Sequence, residues 1–261
     1  MPVDRDFWKT IKINRRESTS LPCPVCHGVL HLVNESLKFE SSAYTTRNES
    51  GRDWEHIFWT GSCSAIFKCS TSNCAETVPM CGLSEITEYG EGEYEPECRR
   101  PLYFYPPLPL FRISEKCPAA VAIEIKAGFA LFWSDYAALM NHFRKAVEVI
   151  MDKLKVRKTK VVTDKKSGKR HYKYIPLHSR IEDYQKKRPE LGEQLEALKW
   201  LGNCGSHAGK IEQEDVFDAC EILENFIQEH FERHGNRIQK MARSINKTKK
   251  PRSHLRAKKG S

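Results

Sequence analysis

Four cysteines carry the clearest chemistry in this sequence. Cys23 and Cys26 stand in PCPVCHG and Cys69 and Cys74 in CSTSNCAE, so two residues separate the first pair and four the second. Thiolates offered by two tight turns suit a tetrahedral Zn²⁺ at about 2.3 Å per bond, and a closed set of four leaves no coordination position for a substrate. The expected ion is therefore structural. Cys63, Cys81, His27 and His31 are the substitutes should one member of the set lie elsewhere. A zinc ribbon of this kind either staples a module too small to fold alone or presents a contact surface to nucleic acid or protein, and the sequence leaves both open.

A second group of residues is basic. Residues 153–173 hold ten Lys or Arg against one acid, Asp164. Alternation in KTKVVTD and KRHYKY around a KSG turn predicts a hairpin inserted between helices. Its Lys158, Lys160, Lys165, Lys166, Lys169, Arg170 and Lys173 are candidate contacts for the phosphates of RNA or DNA; a surface hairpin that merely carries charge is the alternative. From Arg233 onward there are 11 Lys or Arg and no acid, which leaves residues 1–232 with 32 basic against 34 acidic side chains. The formal charge of +9 thus belongs to a tail. Lacking apolar periodicity, the tail is expected to be disordered beyond Met241, where it attracts phosphate non-specifically or simply aids solubility.

The elements that must position these groups can be read from periodicity and punctuation. A chain of 261 residues with 39% hydrophobic content can bury the cores of two modest domains. No stretch approaches the roughly 20 apolar residues that span a bilayer, and MPVDRDFW holds no apolar signal core. Ten cysteines would be unusual as a disulfide framework, so the expectation is a cytoplasmic protein with no membrane partner. Residues 1–84 read as a small β module with strands at 28–34, 54–59 and 64–68 and a loop at 45–53. Six glutamates between Glu85 and Glu97, followed by PLYFYPPLPLF, make 85–116 read as an acidic and proline-rich linker, its last part a strap packed on the domain that follows.

Past Cys117 the apolar period becomes 3.6. One helix is expected at 119–132, and Ser134 or Asp135 can cap a second whose Tyr136, Leu139, Met140, Phe143, Val147, Ile150, Met151 and Leu154 share a face. A third begins near Leu177 and ends before Arg188. The next begins at Pro189 with Leu191, Leu195, Leu198 and Leu201, and the last spans 215–233 with Val216, Ala219, Cys220, Leu223, Phe226, Ile227 and His230 as its buried stripe. The fold class is α+β and multidomain: a small β zinc ribbon, then an all-α bundle over 117–233 with the basic hairpin inserted, then the tail at 234–261.

The segment EALKWLGNCGSHAGKIEQEDVFDACEILENFIQEHF resembles the DUF4145 signature, in which a basic residue is followed by a Gly-Asn and a His ahead of a final amphipathic helix. Upstream, YAALMNHFRKAVEVIMDKL resembles that family's first long helix, with its Arg and Glu at Arg144 and Glu148. The likeness covers residues 117–231, and cysteine-pair ribbons often precede the domain in such proteins. It implies a HEPN-like bundle that forms a homodimer. The wider HEPN group includes metal-independent ribonucleases and toxins of antiviral and conflict systems, whose motif is an Arg followed a few residues later by a His. Here Asn203 and His207 match the polar and His positions, Gly202 occupies the place of the Arg, and Lys199 is the nearest cation.

Spaced four apart, Lys199, Asn203 and His207 share one helical face if the helix continues through Gly202, and could hold a phosphate and take a 2′-hydroxyl proton. The same residues also read as a helix end, with Gly202 left-handed, Asn203 capping and His207 bonded across to the first long helix; Arg144 and Glu148 are then an intrahelical pair or an anchor. Two functions follow from the resemblance. One is an accessory protein of a prokaryotic antiviral defence system that binds RNA, DNA or a partner protein through ribbon, hairpin and tail, Arg144 included. The other is a metal-independent endoribonuclease toxin with His207 as acid and base, Asn203 orienting, and Lys199 or Arg144 on the phosphate.

Overall fold

Strict alternation of buried and exposed residues dictates the first half of the chain. In β4 (Thr60–Cys69) every second residue from Gly61 to Cys69 points inward, and in β5 (Thr77–Gly90) Val78, Met80, Gly82 and Ser84 do the same. The two strands pair antiparallel from Thr60 opposite Glu85 to Lys68 opposite Thr77. In the computed structural model, which describes residues 3–90, 92–164, 168–206, 210–232 and 241–247, they lie in a six-stranded antiparallel sheet. Its order is β1 (Leu21–Pro22), β2 (Val29–Leu32), β4, β5 and β6 (Glu93–Phe104), with β3 (Lys38–Ser41) also paired to β4.

Three expectations for this half are corrected. Residues 85–104 hold the far part of β5 and the whole of β6, not linker. Glu85 stands opposite Glu97 across this hairpin, and the later glutamates are met from both outside and within it: Arg16 binds Glu93 at 2.8 Å and Glu95 at 2.7 Å, while buried Glu97 accepts from Asn14 at 3.1 Å, from Thr87 at 2.8 Å and from Arg99 at 3.1 Å. Residues 54–59 hold a 3₁₀ turn, His56–Phe58, where a strand was expected. The expected loop at 45–53 begins as helix, because Ser42 accepts from the Thr45 amide and caps α2 (Ala43–Asn48). The proline-rich segment does pack as a strap: Leu108, Leu110 and Phe111 are buried, and the Phe111 ring meets Phe129 edge-on at 5.1 Å.

The second half is helical. α3 (Ala119–Phe129) leads to α4 (Tyr136–Lys153), whose Asp135 cap accepts from the Ala138 amide at 2.9 Å. A separate hairpin of β7 (Thr159–Thr163) and β8 (Arg170–Tyr174) follows, then α5 (Leu177–Gln185), α6 (Pro189–Ser206) and α7 (Gln213–Ile227), which continues as a π-helix over Gln228–Glu232. The apolar faces read from the sequence are the buried ones, apart from Tyr136, Leu154, Leu201 and His230, which are half-buried. Residues 241–247 form a helix, although disorder was expected beyond Met241.

Sheet and helices share one core. α1 (Arg5–Lys9) places Trp8 against Phe132 at 5.7 Å and Trp133 at 6.0 Å, and Trp133 in turn meets Phe104 of β6 at 5.4 Å. Arg5 binds Glu214 at 3.0 Å, Asp218 at 2.7 Å and Glu221 at 2.9 Å on α7. Within the helical layer α4 and α6 approach closely at Gly202, where a Cβ would stand 2.6 Å from Arg144 Cβ and 3.1 Å from the Met140 carbonyl oxygen. Replacing Gly202 with Val should therefore push α4 and α6 apart and cost about 1–3 kcal/mol. Urea unfolding should show a lowered midpoint; an unchanged midpoint would mean that the interface tolerates the side chain.

Candidate functional site

The two cysteine turns are brought together by strand pairing. The first joins β1 to β2, the second joins β4 to β5, and Leu30 of β2 lies opposite Cys69 of β4. Cys23, Cys26, Cys69 and Cys74 all have their sulfurs within 4.8 Å of one another, with Cys23 to Cys74 at 3.8 Å and Cys26 to Cys69 at 3.5 Å. Bonds of about 2.3 Å in a tetrahedron require sulfur separations of roughly 3.8 Å, so the set fits a four-thiolate metal ion.

Two of the four sulfurs are met by donors from the turns. Backbone amides of Gly28 and Thr71 donate to the sulfurs of Cys26 at 3.3 Å and Cys69 at 3.4 Å, and the Thr71 hydroxyl lies 3.6 Å from Cys26 Sγ. The Gly28 amide first, and then the Thr71 hydroxyl, draw the Cys26 thiol down to about 6. His27 and Ala75, each directly after the second cysteine of its turn, take left-handed φ values of 58° and 49°. Ser70 ties one turn to the other by donating from its amide to the Val29 carbonyl at 2.9 Å. A substituent at Gly28 would collide with the Thr71 hydroxyl at 2.4 Å.

The alternative ligands stand elsewhere. Cys63 is buried beside Cys98, whose thiol draws it down to about 7, and Cys81 is exposed on β5. His31 faces the Ser20 hydroxyl at 3.3 Å.

The basic hairpin forms as expected, with Thr159 opposite Tyr174 and Thr163 opposite Arg170; Lys165 and Lys166 lie outside the described residues. All five residues of β8 are exposed. Arg170, Tyr172 and Tyr174 project from one side of the ribbon, and His171 and Lys173, with Lys160 opposite Lys173, from the other. Tyr172 is 78% and Tyr174 73% exposed, a feature that the charge count alone did not single out. Lys158 is tied down at the base of the ribbon, where it shares Asp152 with buried Arg180 at 2.9 and 2.6 Å. Burial opposes ionisation of Asp152, but hydrogen bonds from Lys158 and Arg180 outweigh it and hold the carboxyl below its usual range. That contribution to stability is present above the unfolded carboxylate pKa and is lost as pH falls through the lowered folded value.

In the helical layer α6 continues through Gly202 to Ser206, so Lys199 and Asn203 do share a face, and the expected helix end at Gly202 is absent. Lys199 is 3% exposed; its ammonium lies 3.1 Å from His178 Nδ1 and 3.5 Å from the centre of the Trp200 ring. Asn203 is half-buried, and His207 falls outside the described residues. Arg144 packs against Gly202 and sets Nη1 3.4 Å from Glu148. His178 and Trp200, which complete the surroundings of Lys199, carried no sequence signal because they come from different helices or point off the motif's face.

Residues 126–250 match the family model described as a domain of unknown function (DUF4145), which supports the likeness read from the residues. Residues 12–106 match a second model, a domain of unknown function (DUF8608), which takes in both cysteine turns and the sheet through β6. No curated protein and no solved structure matches the chain. Among the described residues no helix is long and apolar enough to cross a membrane.

Elemental analysis of the purified protein should return one tightly held divalent ion per chain. Cys26→Ala and Cys69→Ala should each release it and lower the melting temperature, whereas Cys81→Ser and His31→Ala should retain it. Retention in the first two variants would move the ligand set elsewhere.

Proposed function

We propose that this protein binds single-stranded nucleic acid through the β7–β8 ribbon, with a structural Zn²⁺ in the four-thiolate site and the helical layer, read as a HEPN-like bundle, as the scaffold. The observation that carries this reading is the ribbon itself, which buries neither tyrosine, sets Arg170 on the side they share, and carries Lys160 and Lys173 on the other. Exposed aromatic rings offer stacking platforms to unpaired bases, while neighbouring Lys and Arg meet the backbone phosphates. A ribbon whose only task was to carry charge would gain nothing by exposing Tyr172 and Tyr174 to water. Zinc is favoured for the metal because soft thiolates in a closed tetrahedron select it, and because it supports the fold without redox chemistry.

Binding is preferred to cleavage on one ground. A ribonuclease of the HEPN type would ask Lys199 or Arg144 to meet a phosphate, and the Lys199 ammonium is buried on His178. Incubating total RNA with the wild type and with His207→Ala separates the two, since cleavage lost in the variant would establish the nuclease.

Fluorescence anisotropy with labelled single strands and duplexes of one sequence should show preference for the single strand. Tyr172→Ala should weaken that binding by about 1–3 kcal/mol, roughly 5- to 150-fold. Lys160→Glu with Lys173→Glu should flatten the salt dependence. Equal affinity in all variants would remove the ribbon from the interface.

A further inference from the structure

Where the C-terminal ends of α4 and α5 meet the π-helix that follows α7, the surface forms a half-open hollow of about 640 Å³. Lys155, Arg157, Lys186, Lys187 and Arg188 line it, with Asp183 as the one carboxylate among the described lining residues. Asp183 is already taken by Lys186 at 2.7 Å. Lys155, Arg157, Lys187 and Arg188 form no ion pair among the described residues.

Cations at helix C-termini are ordinary, since each end carries about half a negative charge. Two such ends and Asp183 amount to about two negative charges, against five cations in one concavity. The excess is what an anion would neutralise.

Two features of the backbone shape the cavity. Lys155 sits at φ 57°, a position after a helix that favours glycine, yet the sequence places a cation there. The wall contributed by His230 belongs to the π-helix Gln228–Glu232, a geometry that gives up regular hydrogen bonding and recurs at functional sites. The His230 ring is held in place, stacked on Phe226 at 5.5 Å and 4° and with Nδ1 3.1 Å from the Tyr184 hydroxyl. Leu154 and Val156 add an apolar stretch of wall. A volume within the roughly 300–1,000 Å³ usual for small-ligand sites, half apolar and strongly cationic, suits a phosphate group attached to a flat organic body.

We propose that this cavity is a binding site for a terminal phosphate, carried either by a free nucleotide or by the phosphorylated end of a nucleic-acid strand. It stands independently of the ribbon's role, because none of the cations that define it lies on β7 or β8.

Calorimetric titration of the full chain with ATP, adenosine, and 5′-phosphorylated and 5′-hydroxyl forms of one oligonucleotide tests it. ATP bound in preference to adenosine assigns the site to free nucleotides. Preference for the 5′-phosphorylated strand assigns it to strand ends. In either case Arg157→Glu with Arg188→Glu, and separately Lys187→Glu, should weaken the phosphate-dependent part by about tenfold or more. Unchanged melting temperatures would show that the variants remain folded. No discrimination for phosphate in either comparison, or discrimination that survives both sets of variants, would overturn the proposal.

Discussion

The register of β4 between its neighbours governs the N-terminal half. Leu30 stands opposite Cys69 on one side and Lys68 opposite Thr77 on the other, which places the turn before β2 and the turn before β5 at the same end of the sheet. A slip of one residue would turn Phe67 and Cys69 to the outer face and expose Ile66 and Lys68 to the core. The sulfur foursome would then be lost. An ion shared by both turns would in its turn fix the ends of the strands that present them. Strand pairing and the clustering of the four sulfurs are therefore two descriptions of one constraint.

The same sheet is joined to the helices through aromatic contacts rather than through polar bridges alone. Trp8, Phe104, Phe132 and Trp133 form a continuous junction between α1, β6 and the turn after α3. Aromatic rings bury large areas and lock by edge-to-face geometry, so the junction resists sliding in a way that exposed ion pairs do not. The hairpin and the cationic cavity lie on helices tied to this junction through α4, whose buried face runs from Leu139 to Met151.

Much of this was legible where the signal is local. The helical faces followed from a 3.6-residue period, the Asp135 cap from its residue type, the ribbon from alternation, and the four cysteines from their spacing. What failed was local composition whose compensation is distant. The glutamates of β5 and β6 resembled a linker because Asn14 and Arg16, which meet them, lie 77 to 83 residues away. Gly202 looked like a motif position that had lost its arginine; in three dimensions it is the point where α6 admits Met140 and Arg144 of α4. The cavity was invisible for the same reason. Its cations were counted as parts of charge runs, and only folding places the ends of two helices and a π-helix around one space.

The triple grip of Arg5 on α7 spans 209 to 216 residues of chain. During synthesis α1 emerges before its carboxylate partners, so this segment stays undocked from them until α7 has been made. Contacts at such separation slow folding, because the closing of a long loop precedes any gain from the contact. The seating of α1 on α7 then follows the making of α7, and it brings Trp8 over Phe132 to cover the apolar surface that the two rings share.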